Sequence, residues 1–424
     1  MPLPQLYRNS VNYLCSKVLN KANHRSCLPP DMSLNNSSTF CFIFSSMGGL
    51  TLRPFTFLMT LVLPLVLAVV VYQLDTFDPA AYPPHELAQK ESMAIPRINS
   101  QLLKGTEKIG AGKLLAPEDI AYDPKSGVIY TGCADGWLKR VTVNESSAAD
   151  SAVENWVNTG GRPVGVVYGH HGEVIVADLD KGLLKVTSDG TVQLLTDEAE
   201  GVKFKLPNGV DIAQNGVIYF TDSSYKYTAW EYVLDLLEGR PYGRLISYDP
   251  STKETKVLVR DLYFPNGVAV SPDQQFVIFC ETPLRKCKRY YINGENKGTV
   301  DTFVENIPGM PDNIRYGGDG QYWIAIASEV AFAWRMAQTY PFIRKMVAIM
   351  EKYVGRPKIE KNGGALAVDL EGKPISHYHD RNLFLISGAL PIGDHLYLGS
   401  AHESYLLRLN ISQNPAVRSS STTA

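Results

Sequence analysis

Several chemistries are missing from this chain of 424 residues. Its six cysteines contain no Cys-x-x-Cys pair, which removes the usual zinc and thioredoxin-like readings. No Gly-x-Ser-x-Gly elbow occurs, so a serine-hydrolase triad has no nucleophile turn to sit on. An excess of one charge is also lacking. Lysine and arginine number 41 against 43 acids, and no long basic stripe is present, so nucleic acid is not an expected partner. What the chain has is an apolar fraction of 45%, enough for a large core without covalent staples, and many aromatic and β-branched residues, which favour strands.

One stretch is free of charge altogether. Residues 55–72 read FTFLMTLVLPLVLAVVVY, which as a helix would span roughly 27 Å, close to a bilayer core. Pro64 within it is tolerated in a membrane span. A cleaved signal peptide is the main rival, but the run starts late and lacks an Ala-x-Ala site. Arg8, Lys17, Lys21, Arg25 and Arg53 precede the run against the single acid Asp31, whereas Asp75, Asp78 and Glu86 follow it. The positive-inside rule then makes residues 1–54 a cytoplasmic tail and places everything after the span in a lumen or outside the cell, a single-pass type II arrangement held in the lipid bilayer. Met47 lies just before Arg53, so a start there would give an ordinary signal anchor. Residues 30–50 are rich in Ser and Asn and read as disordered. On the far side, Asn144 and Asn410 stand in glycosylation sequons, while Asn35 and Asn36 are on the wrong side. Cys280 and Cys287 flank an expected hairpin and are able to pair in an oxidising compartment; strand register decides between a bond and two free thiols.

Residues 73–96, with Pro79, Pro83, Pro84 and Pro96, read as a stalk. After them one phrase recurs: APEDIAYDPKSGVIYTG from Ala116, RPVGVVYGHHGEVIVAD from Arg162, LPNGVDIAQNGVIYFTD from Leu206, FPNGVAVSPDQQFVIFC from Phe264 and MPDNIRYGGDGQYWIAI from Met310. Each is a strand, a turn and a second strand. FLISGALPIGDHLYLGS from Phe384 supplies a sixth pair. The spacings are about 45 residues, with one near 58 where an insert intrudes and a delayed sixth pair, and strand pairs at that period are the signature of propeller blades. The expected fold is therefore all-β, a six-bladed β-propeller over residues 97–412 with a single N-terminal transmembrane helix and a C-terminal tail at 413–424. A β-sandwich or a string of small β domains would not repeat one phrase in this way. The residues just before Pro117 are expected to add the outermost strand of the last blade and close the ring. Between the fifth and sixth phrases, residues 331–353 have a helical pattern broken at Pro341, with Arg344, Lys345 and Lys352 among apolar residues. This insertion either packs on the propeller or forms a lid or membrane-facing surface.

In a propeller the inner strands run along a central channel, so residues at one register meet at its mouth. Glu118, Asn208, Asn266, Asp312 and Asn313 share that register and all offer oxygen. Calcium takes six to eight oxygen ligands, and the absence of His or Cys argues against zinc or copper. Any one such tripeptide alone is a turn signal; the set is what points to one Ca²⁺. Asp178 and Asp222 end second strands and read as structural; Asn215, Asp273, Asp319 and His170-His171 fall in turns.

These phrases, with YFTDSS at 219–224, PGMPDNIR and LYLGS, make the chain resemble the strictosidine-synthase-like six-bladed propellers over roughly residues 97–412. That family includes single-pass type II membrane members. Its wider group includes paraoxonases and gluconolactonase-like lactonases, which hold a central calcium. The resemblance implies that Glu118, Asn208, Asn266, Asp312 and Asn313 are the metal ligands and that the activity is that of an arylesterase. Three positions depart from the group. Val164 replaces the catalytic His of paraoxonases, Gly209 replaces an Asp for a second calcium, and Ser387 replaces the catalytic Glu of strictosidine synthases. The alkaloid-condensing reaction is accordingly not expected. The expected function is calcium-assisted hydrolysis of a small-molecule ester or lactone, with Asp312 positioning or activating water. The alternative is a non-catalytic propeller that presents a binding face.

Overall fold

Proline cannot donate to a ladder, so a recurring phrase places its proline at a strand's start or at a break in the pairing. Strands Pro163–Tyr168, Pro207–Ile212 and Pro265–Val270 begin in this way. The computed structural model describes residues 57–87, 92–330, 332–355 and 361–418. The expected cytoplasmic tail, with Asn35 and Asn36, lies outside the described residues.

Among the described residues the strands form six antiparallel blades and a two-stranded ribbon. The inner strands are Ala121–Asp123, the three just named, Gly309–Tyr316 and Ile386–Ile392. The fold is thus the all-β, six-bladed propeller that the repeats require. Strand Thr106–Ile109 pairs with Leu406–Asn410 and completes the last blade from the N-terminal side. The fifth blade is wider. Strand Arg97–Asn99 adds to it in parallel beside Pro374–Asp380, and Val417–Arg418 pairs with Arg97–Ile98, so part of the expected C-terminal tail is sheet.

The core is divided into six wedges, one between each pair of adjacent blades. Blades are covered on both faces, which explains second strands such as Val174–Asp178 that are buried at every residue. Cys280 and Cys287 are direct cross-strand partners and form a disulfide in the fourth blade.

Two inserts break the repeat. Helix Tyr232–Glu238 interrupts the third blade. Helices Phe332–Thr339 and Pro341–Tyr353 lie between the second and third strands of the fifth, and their break falls at Pro341 as expected. The segment read as a stalk makes contacts a bare spacer would not. Phe77 and Tyr82 are buried, Tyr82 Oη donates to Leu236 O, and Glu86 pairs with Lys286 at 2.7 Å.

The chain divides into two units, residues 1–68 and 69–424. A π-helical turn Leu58–Val62 and an α-helix Leu63–Leu74 cover most of the apolar run; residues 55 and 56 lie outside the described residues. Among the described residues no helix is long and apolar enough to cross a membrane.

Candidate metal centre at the channel mouth

Five of the six inner strands depart from regular pairing near their start; Ala121–Asp123 in the first blade pairs without a shift. The register shifts between Pro163 and Gly165, Pro207 and Val210, Pro265 and Val268, Pro311 and Ile314, and Ile386 and Gly388. The residue after the proline, or after Ile386 in the sixth blade, is thereby freed from the ladder. The glycine that follows it has a separate cause. A Cβ on Gly209 would stand 2.5 Å from Asn266 O, and one on Gly267 would stand 2.4 Å from the Asn313 Cα. Only glycine lets neighbouring inner strands approach so closely, and the approach brings Asn208, Asn266 and Asn313 towards one another. The ring continues from the sixth blade to the first, where Ser387 Oγ donates to Glu118 O at 2.7 Å.

The side chains collected there are short of partners. Asn208 Oδ1, Asn266 Oδ1, Asp312 Oδ1 and both polar atoms of the Asn313 side chain are buried without a hydrogen bond. Each such group costs about 1–3 kcal/mol if left unsatisfied. Where their amide nitrogens are engaged, they turn the oxygens away. Asn208 Nδ2 donates to Ser223 Oγ at 3.3 Å, and Asn266 donates to Asp312. Burial, then the charges of Glu118 and Asp119, hold the Asp312 carboxyl well above the usual carboxylate range. Burial also raises Glu118, despite its 2.8 Å pair with Arg162. Unpaired carboxamide oxygens beside crowded carboxylates suit a hard cation taken up through oxygen, and these residues fit the calcium that the resemblance implies. No cluster of three or more His, Cys, Asp or Glu able to hold a metal occurs among the described residues. This donor set, rich in carboxamides, is of a different kind.

Arg315, three residues beyond Asp312, carries a role the sequence reading did not assign. Its Nη1 donates to Val210 O at 2.9 Å and Val268 O at 3.2 Å. Its Nη2 donates to Val166 O at 2.8 Å and to Asp119 Oδ2. One guanidinium therefore ties the inner strands of blades one to five and closes the channel behind the candidate ligands. Asp119 Oδ2 also accepts from Val166 N, so Asp119 serves the ring while its neighbour Glu118 faces the site. The available signal was the residue type. The other repeats carry Ala121, Val167, Asp211, Ala269 and Leu390 where this one has arginine.

The remaining candidates fall as the spacing suggested. Asp178 accepts from Thr159 Oγ1 and from backbone amides, and Asp222 pairs with Arg244 at 2.6 Å. His170 sits in its turn against Ala213 O. Val164 is a buried apolar residue. Asn144 is exposed, whereas Asn410 is half-buried with Nδ2 near His395.

Comparison with known proteins agrees with the phrases. The strictosidine synthase family profile matches residues 208–295, and the strictosidine synthase-like N-terminal profile matches residues 99–141. Protein STRICTOSIDINE SYNTHASE-LIKE 6 of Arabidopsis thaliana is 54% identical over 357 residues, covering 84% of this chain and 95% of its own. Adipocyte plasma membrane-associated protein of Bos taurus is 34% identical over 397 residues, covering 87% and 93%. Among solved structures, a gluconolactonase from Xanthomonas campestris superposes with a TM-score of 0.52 at 15% identity, covering 78% of this chain and 98% of that one, a likeness of fold.

Proposed function

We propose, because the chain belongs to the strictosidine synthase-like family, that it is a membrane-anchored, calcium-dependent hydrolase of ester or lactone bonds. The observation that carries the reading is the set of buried, unpartnered oxygens of Asn208, Asn266, Asp312 and Asn313 at one register. With Glu118 they would hold one Ca²⁺. When bound, the ion supplies a positive charge that polarises the carbonyl and stabilises the oxyanion formed from it. The chain's own part is to hold and move protons. Asp312 takes a proton from the attacking water as its oxygen bonds to the carbonyl carbon, and gives it to the alkoxide as the C–O bond breaks. Arg162 holds Glu118 in place. The condensing reaction of strictosidine synthases is not part of the proposal, because Ser387 is engaged with Glu118 O.

The apolar run from residue 55 is the proposed anchor, with the N-terminus cytoplasmic and the propeller lumenal or extracellular. The Cys280–Cys287 disulfide supports an oxidising side for the propeller, and exposed Asn144 is the better placed of the two glycosylation sequons.

Phenyl acetate hydrolysis by the full-length protein tests the reading. Chelation should abolish it and Ca²⁺ restore it, while Asp312→Asn should lower kcat by about a hundredfold or more with calcium retained. An Asp312→Asn protein as fast as the wild type would remove Asp312 from the chemistry. One observation favours a second reading, a scaffold with a metal-stiffened face. The register holds no further acid or base, with Val164 and Ser387 in its other two places. Absence of hydrolysis with and without chelator, with Ca²⁺ still bound, would support that reading.

A further inference from the structure

The helix Pro341–Tyr353 is apolar on both faces: Ala348 is buried against Phe77 and Leu237 with Val347 beside it, and a second apolar row points outward. A surface helix of a soluble domain turns its apolar stripe inward and its charges outward. Here Arg344 is fully buried. Its Nε donates to Ala337 O at 2.9 Å, its Nη1 to Leu237 O and Glu238 O, and its Nη2 to Ala80 O. The outward stripe is apolar. Phe342 is 54% exposed, Met346 56% and Met350 40%, at successive spacings of four residues, and Tyr353 continues the row. Phe332 on the preceding helix is exposed as well. So many large apolar side chains in one row are not what a monomer leaves to water.

The position of this row says what covers it. Lys345 Nζ donates to Asp75 O at 2.8 Å and lies 4.8 Å over the ring of Tyr72. Lys352 pairs with the Asp75 carboxylate at 3.0 Å. Tyr72 belongs to the last turn of the apolar helix Leu63–Leu74, and Asp75 is the first charge after it. The insertion is therefore fastened, through two lysines, to the point where the proposed anchor ends. In the proposed anchoring, the bilayer surface lies on the side of Lys345 and Lys352. Lysines at headgroup level beside a row of Phe, Met and Tyr match the composition of a helix lying in a membrane interface.

We infer that the helical insertion of the fifth blade docks on the lipid bilayer, with Phe342, Met346, Met350 and Tyr353 entering the boundary between headgroups and acyl chains. This inference rests on the anchor assignment made above and adds a second contact that fixes the tilt of the propeller over the membrane. The occupant is lipid rather than protein because the row is continuous with the anchor's exit.

The test is to reconstitute the full-length chain in phosphatidylcholine vesicles carrying a phospholipid with a diazirine near its glycerol backbone. After irradiation, lipid adducts are mapped by mass spectrometry. Adducts are expected both on peptides from 57–74 and on peptides from 332–354. A Phe342→Glu, Met346→Glu, Met350→Glu variant should keep the first set and lower the second about tenfold, since three charges cannot enter the apolar boundary cheaply. Its thermal unfolding should match the wild type, because all three side chains face outward. Adducts on 57–74 alone would overturn the docking and leave the anchor standing. Adducts on neither would overturn both. A chain-to-chain cross-link through the same row in place of lipid adducts would assign the row to a second copy and overturn the inference.

Discussion

Arg315 holds more of the ring than any single contact of the candidate ligands. It is buried, it meets carbonyls of three inner strands, its ion-pair partner Asp119 is also buried, and its charge acts on the Asp211 carboxyl as well. Replacing it with methionine strands the Asp119 carboxylate, which should cost about 3–5 kcal/mol in urea unfolding. Adding Asp119→Asn should return part of the loss, since an amide oxygen still accepts from Val166 N and the stranded charge at Asp119 is gone; the part not returned includes the lost attraction to Asp211. Simple additivity of the two losses would refute the coupling. A second buried group gives a dependence on pH. Burial, then the neighbouring His379, pushes His377 down to about 3, and its Nε2 has no partner. The unfolded chain takes up that proton near pH 6.5, while the folded chain does not until about 3. The contribution of neutral His377 is thus complete above pH 6.5 and is lost as pH falls, by roughly 1.4 kcal/mol per unit. A His377→Phe protein should lose up to roughly 3 kcal/mol less stability between pH 7 and pH 4 than the wild type. Identical pH profiles would show that His377 does not titrate on unfolding.

The inner strand is the element on which site and fold coincide. A methyl group at Gly267 meets the backbone of Asn313, so Gly267→Ala must push the fourth and fifth inner strands apart. The expected loss of stability is about 1–3 kcal/mol, with a weaker Ca²⁺ affinity in calorimetry, because Asn266 and Asn313 separate together. A stability loss with unchanged affinity would mean that the two asparagines do not share a ligand. The strands themselves were legible because proline, glycine and a β-branched run recur at near-constant spacing, and five candidate ligands followed from that register. The duty of Arg315 was not legible. Its partners are carbonyls up to 149 residues away, which side-chain patterns do not encode. The same holds for residues 73–87. Their prolines suggest a spacer, yet Ala80 O accepts from Arg344, 264 residues later in the chain. Cys280 and Cys287 were legible only as alternatives, since one residue of slippage in the hairpin would have parted them.

At the scale of the whole molecule, six wedges of core make each blade depend on both neighbours. The blade that joins the two ends of the chain is no exception. Ile109 is fully buried in the wedge between the sixth and first blades, alongside Leu406. Ile109→Ala should therefore lower stability by about 2–5 kcal/mol, as much as Leu406→Ala, although it stands on the terminal strand. A negligible effect at Ile109 would show that the ring holds without its closing strand.

That closing strand also sets a timetable. Thr106 pairs with Leu409 and Ile109 with Leu406, partners made about 300 residues apart. At roughly 5–20 residues per second of synthesis, Thr106–Ile109 waits some tens of seconds for the strand it completes. During that interval it is an unpaired edge. Its middle residues are Glu107 and Lys108, charges that discourage a foreign strand from pairing first. The ring thus closes only near the end of synthesis, and the sequence at its seam is suited to the wait.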